Sequence, residues 1–340
     1  MSVPTVITLV EPHLACLSAT AATRGSRSQR AVLNAMLARA TATIFSPTTC
    51  EAGLFTLAGG DPVTPVAVAP VTWLHEFGAA PAIDCWRADP VHIELGSSNA
   101  AGVVFGAELE LDLNEARALA ADIAAALGWP GHKLVAPVAE RWYVRDMAWP
   151  AVDAATPAEV SRAGLSATLP RGEKAAPLRQ LMSEIQIVLS DHPLNRERAL
   201  RGLPTVNSLW FWGGGRAVGP GAGCATRQLF GEDPFLGGLG RMMNEEMRPL
   251  PSPRDPGFWR DLDHEALLML SPNKVLAEAG EMDQALDRMV DWLVEARRQL
   301  LAGRLRELRL ADALGRVFSW RRFDPLRIWR RATPQVGRQR

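Results

Sequence analysis

A chain of 340 residues with zero formal net charge, 47% apolar and 22% charged residues excludes wholesale disorder and suits one large α/β domain or two smaller ones. Without a surplus of either charge, no global field draws it to nucleic acid or to a membrane surface. No uninterrupted apolar run reaches the ~18 residues of a membrane span. Cys16, Cys50, Cys85 and Cys224 form no C-x-x-C pair, so neither a zinc signature nor a disulfide framework is expected, and a reducing cytoplasm is the simplest location. The N-terminus, MSVPTVITLVEPHLACL, lacks a basic lead and is interrupted by Glu11, Pro12 and His13, so no signal peptide is expected. Lysine occurs only at Lys133, Lys174 and Lys274, and the arginine excess beside so much alanine reads as base composition.

Val6 to Val10 reads as a first buried strand, and Gln29 to Ala40 has helical spacing at Val32, Leu33, Met36 and Leu37. From Thr41 to Ala80 the pattern predicts loops and short elements. There Val63 to Leu74, broken by Pro65 and Pro70, reads as buried strand and loop, with a helical turn at Val71 to Phe77. Asp84 to Leu95 reads as extended chain passing through a turn at Pro90 into a strand. Asp89 and His92 flank that turn and could share a ligand only if it folds them together, because positions three apart on a strand face opposite ways. Asp112 and Glu115 make a capping box for a helix running to about Leu127 before Gly128. Strands are expected around Lys133 to Val138 and Glu140 to Arg145, where Arg141 alternates with Trp142. Residues 146 to 177 read as surface connection with one helical turn at Pro157 to Ala163.

The stretch from Leu178 to Gly215 carries most of the chemistry. Leu178, Leu181, Met182, Ile185, Val188 and Leu189 form one apolar helical stripe, with Glu184 and Gln186 off it. Pro193 ends that helix, and Asn195 is placed to cap a second, short one carrying Arg196, Arg198 and Arg201. Val206 to Trp212 then reads as a buried strand emptying into Gly213, Gly214 and Gly215, a loop whose N–H groups could approach an anion. Beyond it come a glycine-dominated loop at Arg216 to Cys224, a helix at Phe235 to Met243, a linker at Arg248 to Pro256 and a buried strand at Ala266 to Leu270. A helix at Met282 to Leu301 precedes a terminal hairpin. The expected organisation is one α/β domain over 1–315, a mixed sheet with flanking helices and a subdomain at about 84–205, followed by a basic strand and tail at 316–340.

No G-x-S-x-G, phosphate-binding G-x-x-x-x-G-K-[ST], dinucleotide G-x-G-x-x-G or paired-histidine spacing occurs. What remains is the polar set Glu184, Gln186, His192, Asn195, Arg198 and Asn207. It reads equally as a fixed anion site built from guanidinium and amide donors, or as asparagines bracing turns while Arg198 pairs with an acid.

The run DHPLNRERALRG followed by VNSLWFWGGG resembles the cofactor-independent phosphoglycerate mutase-like proteins, particularly their archaeal-type branch. With ADPVH at 88–92, RWYV at 141–144 and EIQ at 184–186, the chain is similar to a bacterial phosphoglycerate mutase-like family, the regulators of pathogenicity factors of the E type. The resemblance implies part of the alkaline phosphatase-like fold of those mutases. In them a nucleophilic serine and two divalent metals are held by Asp and His motifs near both ends of the chain. Here VITLVEPHL lacks the aspartate-glycine start and the C-terminal third has only His264. The expectation is therefore a regulatory protein without metal or other cofactor, binding a small phosphorylated or carboxylate metabolite or a protein partner. Its candidate ligand residues are Asp89, His92, Arg141, Glu184, Gln186, His192, Asn195, Arg198, Asn207 and Gly213 to Gly215. An active phosphate-transferring enzyme, and an interaction protein using the arginine- and tryptophan-rich C-terminus, stand as alternatives.

Overall fold

The computed structural model describes residues 5–45, 49–61, 66–81, 83–95, 101–147, 154–170, 173–216, 227–273, 279–312 and 315–326. The chain packs as two compact units, one of 1–65 with 219–340 and one of 66–218, which lies between those two stretches in sequence. The first unit opens with β1 (Thr5–Val10), α1 (Leu14–Thr23), α2 (Arg27–Arg39), β2 (Thr41–Ile44) and α3 (Cys50–Leu57). The inserted unit holds α4 (Val68–Phe77), β3 (Cys85–Leu95), β4 (Ala101–Phe105), α5 (Leu113–Ala126), β5 (Leu134–Val138) and β6 (Arg141–Arg145). It continues through α6 (Pro157–Ala163), α7 (Leu165–Thr168), α8 (Ala176–Ser190), α9 (Pro193–Leu200) and β7 (Ser208–Gly215). The first unit resumes with β8 (Gln228–Phe230), α10 (Pro234–Met242), β9 (Met247–Arg248), α11 (Pro256–Arg260), β10 (Glu265–Met269), α12 (Ala279–Leu301), β11 (Leu305–Ala311) and β12 (Arg316–Arg321).

The first unit is built on a seven-stranded sheet in the order β2-β12-β11-β1-β10-β8-β9. β1 is buried along its whole length and pairs in parallel with β10 and β11, the setting that a continuous apolar run such as TVITLV requires. Leu286, Met289, Leu293, Ala296 and Leu300 of α12 are fully buried and join β1, β10, α1 and α2 in one core. The expected terminal hairpin is β11 with β12, antiparallel, with Leu308 opposite Trp320. β12 is an interior strand of the sheet: Trp320 is fully buried and its indole N–H donates to the Met36 carbonyl at 2.9 Å. The arginines and Trp329 beyond 326 lie outside the described residues.

The second unit holds a five-stranded antiparallel sheet in the order β4-β3-β6-β5, with β7 on the other edge of β3. Two sequence expectations fail here for identifiable reasons. Val68 to Phe77 is a helix, because Pro70 falls in its first turn, where an N–H would lack an intrahelical acceptor anyway, and Gly78 closes it in the left-handed conformation. Pro90 makes no turn. It sits inside β3 where pairing with β6 has ended at Arg87 and pairing with β4 starts at Val91, a gap that tolerates a residue without a donor. Among the described residues, no helix is long and apolar enough to cross a membrane.

Candidate functional site

The stripe on α8 forms as expected, with Leu178, Leu181, Met182, Ile185 and Leu189 buried. Pro193 takes the first position of α9, which puts the cap three residues earlier than the expected Asn195. His192 is the N-cap: its Nδ1 accepts from the Leu194 N–H at 3.3 Å and its Nε2 faces Asp122 at 3.1 Å. Asn195 lies inside the helix, its amide donating to the carbonyls of Leu189 and Val206 while its oxygen accepts from the Val206 N–H. Asn207 likewise clasps both backbone groups of Ile93, at 2.8 and 2.9 Å. Arg198 is fully buried. It pairs with Glu115 and donates to the carbonyls of Leu109, Glu110 and Pro204. These residues stitch α9 to α5, β3 and β7, so the bracing arrangement is the one their hydrogen bonds form. Glu184 and Gln186 are exposed on the outer face of α8.

The glycine loop serves packing as well. β7 extends through Gly215, and a Cβ on Gly214 would stand 1.9 Å from the Trp86 indole. At Gly213, φ is +62° and an added Cβ would meet the Val68 side chain of α4 at 2.9 Å. Gly214→Ala should therefore destabilise the protein by roughly 1–3 kcal/mol through overpacking. A chemical-denaturation midpoint identical to wild type would show that Trp86 yields freely.

Asp89 and His92 are not brought together, since β3 runs straight through both. His92 Nδ1 meets the Thr205 carbonyl at 2.8 Å. Asp89 is buried and locked to Arg87, with Nε and Nη2 at 2.7–2.9 Å, and its carboxylate also accepts from the Trp212 indole N–H at 2.7 Å and the Trp142 N–H at 3.3 Å. Arg87 lies over the rings of Tyr143 and Trp212, with centroids at 5.5 and 5.1 Å. Arg141, two residues before Tyr143 on β6, pairs with Glu76 of α4 at 2.7 Å. Sequence reading missed Arg87 and Arg145. The available signal was period two, which puts Arg87 with Asp89, and Arg141 with Tyr143 and Arg145, on one face of each strand.

A second polar cluster lies in the first unit, at the carboxyl ends of its parallel strands, where open α/β sheets bind ligands. Glu11 follows β1, Asp233 follows β8, Ser271 and Asn273 follow β10, and Asp312 follows β11. Glu11 accepts from the Ser271 hydroxyl at 2.8 Å and the His13 N–H at 3.1 Å. Asn273 donates through its amide to Glu51 at 2.9 Å and through its backbone to Asp233 at 3.2 Å. Asp233 also caps α10, and Asp312 pairs with Arg316 at 2.6 Å. Burial pushes the Glu11 and Glu51 carboxyls up to about 7, and Asp233 adds repulsion at Glu51. The Cys50 thiol is driven well above its ordinary value by burial and by the surrounding Glu51, Asp233, Asp312 and Glu11, which keeps it protonated and a poor nucleophile.

The sequence matches no known protein-family profile. It is 41% identical over 61 residues to a probable 2,3-bisphosphoglycerate-independent phosphoglycerate mutase of Geobacter sulfurreducens, and 38% identical over 61 residues to the 2,3-bisphosphoglycerate-independent phosphoglycerate mutase of Methanothrix thermoacetophila. Part of this chain is similar to a phosphoglycerate mutase. The matched segment is 18% of this chain and spans 15% and 16% of those two proteins. In fold, the chain is similar to the PH0037 protein of Pyrococcus horikoshii, with a TM-score of 0.53 at 14% identity over 94% of this chain and 87% of that one. Against the cofactor-independent phosphoglycerate mutase of Thermoplasma acidophilum the TM-score is 0.44 at 14% identity, over 98% and 94% of the two chains.

The two divalent metals implied by the resemblance do not fit the donors found among the described residues. Among the described residues no three His, Cys, Asp or Glu side chains are placed to hold an ion. The strand-end carboxyls are engaged by Ser271, Asn273, Arg316 and the α10 N-terminus.

Proposed function

We propose that this chain is a phosphoglycerate mutase-like binding protein that performs no metal-dependent phosphoryl transfer and acts in regulation, through a small phosphorylated or carboxylate metabolite or a protein partner. The observation that carries the reading is the strand-end cluster. Metal-assisted phosphoryl transfer needs several ionised, uncommitted ligands around each ion. Here Glu11, Glu51, Asp233 and Asp312 each have a protein partner, and the ring of His13, the histidine beside them, meets the Pro272 carbonyl through Nε2 at 3.3 Å. The regulatory part rests on the resemblance carried by ADPVH, RWYV and the stretch at 178–215.

Incubation with 3-phosphoglycerate and manganese or magnesium should give no 2-phosphoglycerate. Turnover that a chelator abolishes would overturn the reading. A deletion from residue 316 is a poor test of the C-terminus as a partner surface, because it removes β12 and the buried Trp320. A cut after residue 326 removes none of the described residues.

A further inference from the structure

We infer that the face of the second sheet carrying Arg87, Tyr143 and Arg145 is a binding site for one small oxyanion, a carboxylate or a phosphate. This names a site for the metabolite and so rests on the binding-protein reading above.

Arg87 is preorganised. Asp89 takes its Nε and Nη2, the Tyr143 and Trp212 rings flank it, and Asp89 is itself pinned by Trp212 and the Trp142 backbone. Those bonds leave the Nη1 edge with no hydrogen-bond partner among the described residues. A buried ion pair adds little stability over an apolar pair of the same shape, so the fold alone gives no reason to keep one here.

Arg145 is the second guanidinium. It stands opposite Cys85 on the neighbouring strand while Tyr143 stands opposite Arg87, so Arg87 and Arg145 are diagonal neighbours on one face. Its Nε is buried without a hydrogen-bond partner, and it has no carboxylate at ion-pair distance among the described residues. Trp73 of α4 lies beneath it, the ring centroid 5.1 Å away.

Counting the charges gathered on this face, Arg87, Arg141 and Arg145 oppose Asp89 and Glu76, which leaves one positive charge unmatched. Aromatic walls lower the local dielectric and strengthen a charge-assisted hydrogen bond to whatever anion enters. A guanidinium edge matches two oxygens of a carboxylate or phosphate, and two such edges from diagonal positions suit one small anion.

Calorimetric titration of the full chain with inorganic phosphate, and separately with glycerate, tests the site. Wild type should bind at least one of them, and which one binds separates the two chemistries. Arg145→Ala should weaken binding by about tenfold or more, the loss expected for one charge-assisted contact. Arg145→Lys keeps the charge but not the fork and should fall between. Arg196→Ala, which removes an exposed guanidinium on α9, should change nothing. No heat from either anion with wild type, or wild-type affinity in both Arg145 variants, overturns the site. Chelator-sensitive turnover would instead sink the binding-protein reading and leave this titration's answer standing.

Discussion

Arg198→Ala should cost the fold about 3–5 kcal/mol, because it strips a buried carboxylate of its one buried guanidinium partner and three backbone carbonyls of their donor. Arg198 has no exposed surface, and its side chain holds Glu115 together with the carbonyls of Leu109, Glu110 and Pro204. Removing it leaves buried acceptors in α5, the turn before it and the segment leading to β7 without donors. Arg201 contacts the same Glu115 at 3.0 Å but is 58% exposed, so Arg201→Ala should cost below about 1 kcal/mol. Urea unfolding of both variants measures the contrast. A midpoint for Arg198→Ala as near to wild type as that of Arg201→Ala would mean the buried network contributes nothing.

Glu11→Gln should raise stability above neutral pH and flatten its pH dependence. The folded carboxyl titrates near 7 instead of 4.5, chiefly because burial disfavours its charged form. At pH below 4.5 both folded and unfolded chains carry the proton, and the full contribution is present. Between 4.5 and 7 the unfolded chain releases that proton while the folded chain keeps it, so stability falls as pH rises. Above 7 both states are ionised and the loss levels off at about 3 kcal/mol, the equivalent of that displacement. Glutamine never ionises, yet it can still accept from the His13 N–H and donate to the Ser271 hydroxyl, the two groups that Glu11 contacts. The gap between variant and wild type should open from pH 4.5 to 7 and then stay constant. Parallel stability profiles across that range would show that Glu11 is not held neutral. Glu51, displaced to the same value, should leave a residual slope that Glu51→Gln removes.

Reading of the helices succeeded where the pattern was local and long. The α8 stripe, the Asp112 and Glu115 capping box, the apolar face of α12 and the first strand are all visible in runs of contiguous residues, and the structure places them as expected. Local rules failed at prolines. Pro70 and Pro90 looked like breaks, yet each stands where a missing N–H goes unused, in a first helical turn and in a gap between two partner strands. Long-range organisation is equally hard to read from local patterns, because α4 belongs with a sheet whose strands all begin after it, and β8 through β12 return to the sheet of β1, where β10 and β11 pair with it.

The sequence by itself determined the long helices and the first buried strand, since apolar periodicity and caps act over a few residues. Only the tertiary structure decided what the polar residues do. Arg198 meets Glu115 across 83 residues, Asn207 meets Ile93 across 114, and Ser271 reaches Glu11 across 260. A polar side chain's role depends on which donor or acceptor burial leaves beside it, and that neighbour is set by strand order, which no local pattern encodes.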